Sequence, residues 1–259
     1  MMTMDTRALT AQLAGRNPIE AASFPDVDWC DLACEDARFT DCQFEDALFA
    51  GTVFAGAVFR RCRFLRCRFS RADLQDAMFE ACVFVTRDGE AAGCGFAFSD
   101  LRRTRFLNCD LSLCQLERCE LFALAMDQCK LHGVRFHMVD FSHAYSRKLV
   151  KTRATFRNCN LELAELTGAR LAECELTGSR LREADLSAAD LTDADLRDCD
   201  LFQAVLTGAR LDGADLRGAE ISGLSLLELA SFNRVKINQG QQHILLQGIG
   251  IDVHPEPSW

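Results

Sequence analysis

From Arg182 onward the chain reads, in fives, READL SAADL TDADL RDCDL FQAVL TGARL DGADL RGAEI. A large aliphatic residue closes each block: Leu186, Leu191, Leu196, Leu201, Leu206, Leu211, Leu216 and Ile221. Two places before each stands a small one: Ala184, Ala189, Ala194, Cys199, Ala204, Ala209, Ala214 and Ala219. A period of five fits neither the 3.6 of an α-helix nor the 2 of a strand. It calls for a backbone that turns once per five residues and returns the large side chain to a common axis. Units repeated at a fixed period bury their apolar sides against one another. The expectation is an all-β solenoid.

The same frame extends backwards. Large centres fall at Phe24, Trp29, Cys34, Phe39 and every fifth residue to Phe84, with Phe dominant where the second half uses Leu. Twelve residues then separate Phe84 from Phe96, two more than two repeats need, across the polar, Gly-containing VTRDGEAAGCG. Such sequence at a frame shift predicts a bulging loop over 85–95. From Phe96 the frame holds to Phe141, but SHAYSRKLVKTRAT then puts Ser146 and Lys151 where centres belong. A lysine in a narrow apolar core is costly unless paired, so 142–155 is expected to be irregular. Four fives per square turn give about ten coils, a rod on the order of 45–50 Å at strand spacing.

Open solenoid ends need caps. Residues 1–21 are expected to supply one, with a short helix over Asp5–Leu13, ahead of a repeat region at 22–226. Residues 227–259 are expected to supply the other: a short helix around Ile244, Leu245, Leu246 and Ile249, then a strand over Ile251–Val253. Apolar surface left over there, at Ile244, Leu245, Ile249 and Ile251, would pair two subunits.

Of fourteen cysteines, twelve occupy the small-residue slot, from Cys42 to Cys199. Spacings such as Cys109, Cys114, Cys119 follow from the repeat itself, so these read as small buried hydrophobes rather than metal ligands. Many free thiols favour a reducing compartment. The start, MMTMDTRALTAQLAG, lacks the layout of a signal peptide, and no apolar run suits a membrane span. A cytoplasmic protein without a membrane partner is expected.

The net charge of −9 is uneven: residues 1–84 carry −4, 85–160 carry +4, and 161–259 carry −9. In coils of twenty residues, Glu175, Asp195 and Asp215 stack in one column, and Glu173 and Asp193 in a second. Carboxylates at strand spacing repel one another. Two readings stand: an acidic surface imitating the regular charge of DNA, or an Asp that serves each turn. Arg60, Arg61, Arg63, Arg66, Arg68 and Arg71 form a basic cluster open to three readings: it meets nucleic acid, it meets an acidic protein, or it pairs with the acidic first coils. His132 and His137 are adjacent-face residues that do not converge, and no phosphate-binding glycine loop follows a strand. A filled rod lacks the concavity that catalysis needs. No enzymatic activity, metal, cofactor or small-molecule substrate is expected.

The small-x-Leu/Phe pattern over roughly 22–226 resembles the pentapeptide-repeat family, which implies a right-handed quadrilateral β-helix. Within it, CRFSRADLQDAMFEACVFVTRDGEAAGCGF is similar to the quinolone-resistance (Qnr-type) proteins around their first functional loop, here ending in Gly93-Cys94-Gly95-Phe96. The likeness continues through FLNCDLSLCQL to the Ser142–Thr155 defect, where those proteins carry a second loop, and HILLQGIGIDV is similar to their dimerising tail. About eight further repeats precede the matched region. The resemblance implies a homodimer that binds DNA gyrase or topoisomerase IV as a DNA mimic, without binding nucleic acid directly, and counters quinolone poisoning. Contact residues would then come from Arg87, Asp88 and Glu90, from Arg147, Lys148 and Lys151, and from the two acidic columns. The competing reading is a structural or adaptor rod with no topoisomerase contact.

Overall fold

The structure is a computed structural model that describes residues 2–86, 91–146 and 149–254. The chain is a right-handed quadrilateral β-solenoid. Parallel pairing joins residues twenty apart, so each side of the square repeats every fourth pentapeptide. On the first face Phe39 pairs with Phe59, Phe59 with Phe79, Phe79 with Phe106, Phe106 with Met126, and Met126 with Phe156. The ladder then continues through Glu175, Asp195, Asp215 and Lys236. The second face holds Phe44, Phe64 and Phe84, the third Phe49, Phe69 and Phe96, and the fourth Phe54, Leu74, Leu101, Leu121 and Phe141.

The period of five has a backbone cause. Two residues after most centres the chain enters the left-handed region, as at Asp41 (φ 54°), Arg61 (φ 50°) and Gly213 (φ 72°). That corner redirects the strand by one side of the square. L-residues reach this region at a cost, which glycine avoids and Asp or Asn reduces. Side chains stack along the corners by complementarity. Arg61 grips Asp41 one coil away at 2.7 and 2.8 Å, and Arg66 grips Asp46 likewise at 2.7 and 2.9 Å. Elsewhere glycine follows Asp: a Cβ on Gly213 would lie 2.1 Å from the Asp193 carboxylate.

The core is continuous. In the Phe-rich half, rings stack coil upon coil, Phe44 on Phe64 and Phe64 on Phe84, each at 4.7 Å and nearly parallel. Rings one side apart meet edge to face, as Phe59 meets Phe64 at 5.4 Å, an arrangement that suits aromatic quadrupoles. The small-residue slot ties coils together. The Cys62 thiol donates to the Phe39 carbonyl at 3.5 Å, Cys82 to Phe59 at 3.4 Å, and the hydroxyls of Thr52 and Thr104 do the same for Trp29 and Leu74. This explains why Cys alternates with Ser and Thr there. Burial pushes the thiols of Cys34, Cys174 and Cys199 up to about 12.

Register locates both interruptions. Pairing jumps from twenty to twenty-seven residues at Met78–Arg105, so Phe84 and Phe96 lie on consecutive faces. The twelve-residue gap is therefore one repeat plus seven extruded residues, not two repeats plus two. The loop's base is an antiparallel pair, Val85 with Gly93 and Thr86 with Ala92. Gly93 is needed there, since a Cβ would lie 2.3 Å from the Cys114 amide nitrogen. The second jump, to thirty residues at Leu124–Ala154, extrudes ten. Ten is two whole repeats, which is why the frame survives the defect. The extruded chain is a hairpin of Ser142–Ser146 against Leu149–Thr152, and Lys151 is exposed rather than buried in the core.

The N-terminal helix α1 (Thr6–Ala14) is capped by Asp5, whose carboxylate accepts the Ala8 amide at 2.8 Å. Met2–Asp5 and Ile19–Glu20 pair with the first coil, and Met4, Leu9 and Ile19 seal its end. The coils thus begin before Phe24. At the other end α2 (Gln242–Gly248) covers the last coil through buried Leu245. Gln241 donates there to the Leu216 and Ala219 carbonyls at 2.8 Å. The expected strand over Ile251–Val253 does not form, because the Ile251 amide turns back to the Leu246 carbonyl at 2.8 Å and closes the helix. Among the described residues, no helix is long and apolar enough to cross a membrane.

Candidate protein-interaction surface

Two features project from an otherwise filled rod. The first loop leaves between the second and third faces, after Phe84. The hairpin leaves between the fourth and first, after Phe141 and two coils further on. These corners are diagonally opposite. The geometry therefore separates the two expected contact loops instead of joining them on one face. Arg87, Asp88, Glu90, Arg147 and Lys148 lie outside the described residues.

The hairpin is rooted by an aromatic cluster. Phe122 packs against His143 at 5.1 Å and Tyr145 at 6.2 Å, and His143 meets Tyr145 edge-on at 4.7 Å. Tyr145, Leu149 and Val150 are all about half exposed or more. The five-residue pattern marks 142–155 only as a defect and Phe122 only as an ordinary corner residue, not as a cluster. Register alone would have revealed it.

The acidic columns exist as expected, with Glu175 bridged to Asp195 and Asp195 to Asp215. They adjoin the hairpin's corner, and Lys151 Nζ lies 3.8 Å from Glu173. Every rung of the first column, however, carries its own arginine. Arg157 binds Glu175, Arg197 binds Asp195, and Arg217 binds Asp215, at 2.7, 2.6 and 2.6 Å. The guanidinium hydrogen bonds hold the Asp195 and Asp215 carboxyls below their ordinary range. Each Asp also accepts the amide two residues on, Arg197 N and Arg217 N, both at 3.2 Å. The turn-serving role is thus realised: this geometry recurs at Asp73, Asp100, Asp190 and Asp200. Asp193 is exposed at its corner over Gly213, and Glu173 at the next.

The seven-residue offset joins Asp73 to an acidic ladder whose later rungs stand twenty apart. Asp73, Asp100, Glu120 and Asp140 occupy successive rungs of the fourth face, the last three within the basic stretch 85–160. Arg102 bridges two of them, Asp100 and Glu120. The basic cluster divides. Arg60 pairs with Glu80, Arg61 with Asp41, and Arg66 with Asp46 and Glu45. Arg63, Arg68 and Arg71 form no ion pair among the described residues.

At the C-terminal end Leu245 is buried and Ile244 packs partly against the core, so both serve the cap. Ile249 is half-buried, and Ile251 and Val253 stay about half exposed. The apolar surface available for pairing lies beyond α2, not on its inner side.

Comparison with known proteins agrees with this architecture. A pentapeptide-repeat-region model matches residues 151–226, and a model of eight pentapeptide repeats matches 37–82. The quinolone resistance pentapeptide repeat protein QnrB96 of Scandinavium goeteborgense is 27% identical over 103 residues, 40% of this chain. The match spans about half that relative's length (48%). Among solved structures, a trypsin-treated form of QnrB1, a plasmid-mediated fluoroquinolone resistance protein, superposes with TM-score 0.68 at 24% identity. It covers 86% of this chain and 99% of its own. Full-length QnrB1 gives 0.65 at 23%, covering 91% and 100%. With the five-residue register, left-handed corners and four-sided ladder, the chain belongs to the pentapeptide-repeat proteins and is similar to their Qnr-type members.

Proposed function

We propose that this protein binds a type II topoisomerase, DNA gyrase or topoisomerase IV, in the cytoplasm and protects it from quinolones or similar poisons. The observation that carries the reading is the pair of extrusions. A rod with a filled core offers an enzyme only its outside, and here two elements leave the coil without disturbing its ladder. Their positions accord with the two loops of Qnr-type proteins. A partner touching both must reach around the rod, because they stand at opposite corners. The net charge of −9 over residues 161–259 supplies a long-range field suited to a surface that normally meets DNA. The exposed residues beyond α2 pair two rods end to end in this reading.

Register fixes the test. Removing residues 85–91 joins Phe84 to Phe96 through AGCG, and removing 142–151 joins Phe141 to Phe156 through TRAT. Both leave one ordinary five-residue step with a small residue in its slot. Each shortened protein should fold, and each should lose capture of purified gyrase. Undiminished capture by both would favour the adaptor-rod reading.

A further inference from the structure

The third face carries a gap that neither backbone nor packing requires. The position before each centre there holds Leu48, Arg68, Gly95 and Gln115 on successive rungs. Gly95 lies outside the left-handed region, and a Cβ built on it would meet nothing within 4 Å. Gly93, by contrast, is held by a close backbone approach. Glycine weakens a strand interior and often marks where another molecule comes close. Above Gly95 lies a groove of about 500 Å³, walled by Arg66 and Arg68 on one side and by Gln115 and Glu117 on the other.

The groove's charge states what it takes. Arg66 is already held by Asp46 and Glu45. Arg68 has no ion pair among the described residues, and neither has Arg71 at the adjacent corner. The strand carrying Gly95 is paired on both sides, so no main-chain edge is offered and an occupant is read by side chains. We propose that this groove docks an extended acidic segment of a partner protein. Its backbone lies over Gly95, one carboxylate bonds Arg68, and Glu117 repels a second carboxylate and so fixes the segment's direction. A planar guanidinium suits such a carboxylate. This goes beyond the topoisomerase reading and does not depend on it.

The test uses the full chain and a fluorescein-labelled decapeptide of alternating Glu and Gly, followed by anisotropy at low salt. Gly95→Leu should fold normally, since Leu48 stands in the same column, and circular dichroism and melting temperature check this. Gly95→Leu and Arg68→Gln should each weaken binding tenfold or more, while a decapeptide with Lys for Glu should not bind. Absence of binding by the unaltered protein, or unchanged affinity in folded Gly95→Leu, would overturn the proposal. Tighter binding of a twenty-nucleotide single-stranded DNA than of the acidic peptide would also overturn it, in favour of a general anion surface.

Discussion

Phe64→Ala tests how the rod holds together. The Phe64 ring is fully buried and stacks on Phe44 and Phe84 at 4.7 Å, with Phe59 and Phe79 edge-on at 5.4 and 5.9 Å. Truncating a buried Phe costs about 3–5 kcal/mol. Two broken ring stacks, each worth about 0.5–1.5 kcal/mol beyond area burial, place this site at the top of that range. Neighbouring coils are coupled only through their shared interface. The loss should therefore uncouple the first coils from the rest rather than lower all coils evenly. Trp29 is buried in that first section, so in a Trp259→Phe background its fluorescence reports it, while far-ultraviolet circular dichroism reports the whole ladder. In guanidinium titrations the two probes should coincide for the unaltered protein and separate in Phe64→Ala, with fluorescence changing first. A cost below about 1 kcal/mol, or coincident transitions in the variant, would refute the argument from stacked rings and neighbour coupling.

Thiol accessibility gives a second check: of fourteen cysteines only Cys30 is exposed. Ellman's reagent should modify one thiol in the native protein, and all of them in guanidinium. Hydrogen bonding to Asp28 raises the Cys30 thiol, so even this one should react slowly near neutral pH. The Asp41, Asp46 and Asp76 carboxyls are lowered by hydrogen bonds from Arg61, Arg66 and Arg103. Groups depressed in the folded state stabilise it above their unfolded value, about 3.9, and lose that contribution as pH falls through the folded one. Melting temperature should thus be level from pH 8 to 5 and decline below about 4; Asp46→Asn should soften the decline. Ile251→Asp should yield monomers in sedimentation without lowering the melting temperature, whereas Leu245→Asp should destabilise the cap by about 2–5 kcal/mol. A dimer persisting in Ile251→Asp would place the interface elsewhere.

The fold was legible because one residue in five repeats a single physical task. Leu186, Leu191 and Leu196 each fill the axis, and Ala184, Ala189 and Ala194 each make room. Outside that repetition the end helices and the two interruptions were legible as locations, but not their register or contacts. The extrusion after Phe84 reads as two residues or seven by counting alone, since twelve equals either sum, and only the pairing of Phe69 with Phe96 decides. That ambiguity concealed the place of Asp73 below Asp100, Glu120 and Asp140, and the groove over Gly95. The acidic columns were legible as positions but not as charge. Arg157, Arg197 and Arg217 neutralise Glu175, Asp195 and Asp215 through side-chain directions that the sequence does not encode. At the tail, hydrophobicity alone could not separate Leu245, which seals the rod, from Ile251, which faces outward.

Protection of a type II topoisomerase is tested most directly by gyrase supercoiling in the presence of ciprofloxacin, across a titration of the purified protein and using gyrase from the same organism. Supercoiling should recover at low protein concentration, and both loop-excised forms should fail to restore it. Supercoiling that stays unchanged across the titration, with and without the drug, would contradict that protection.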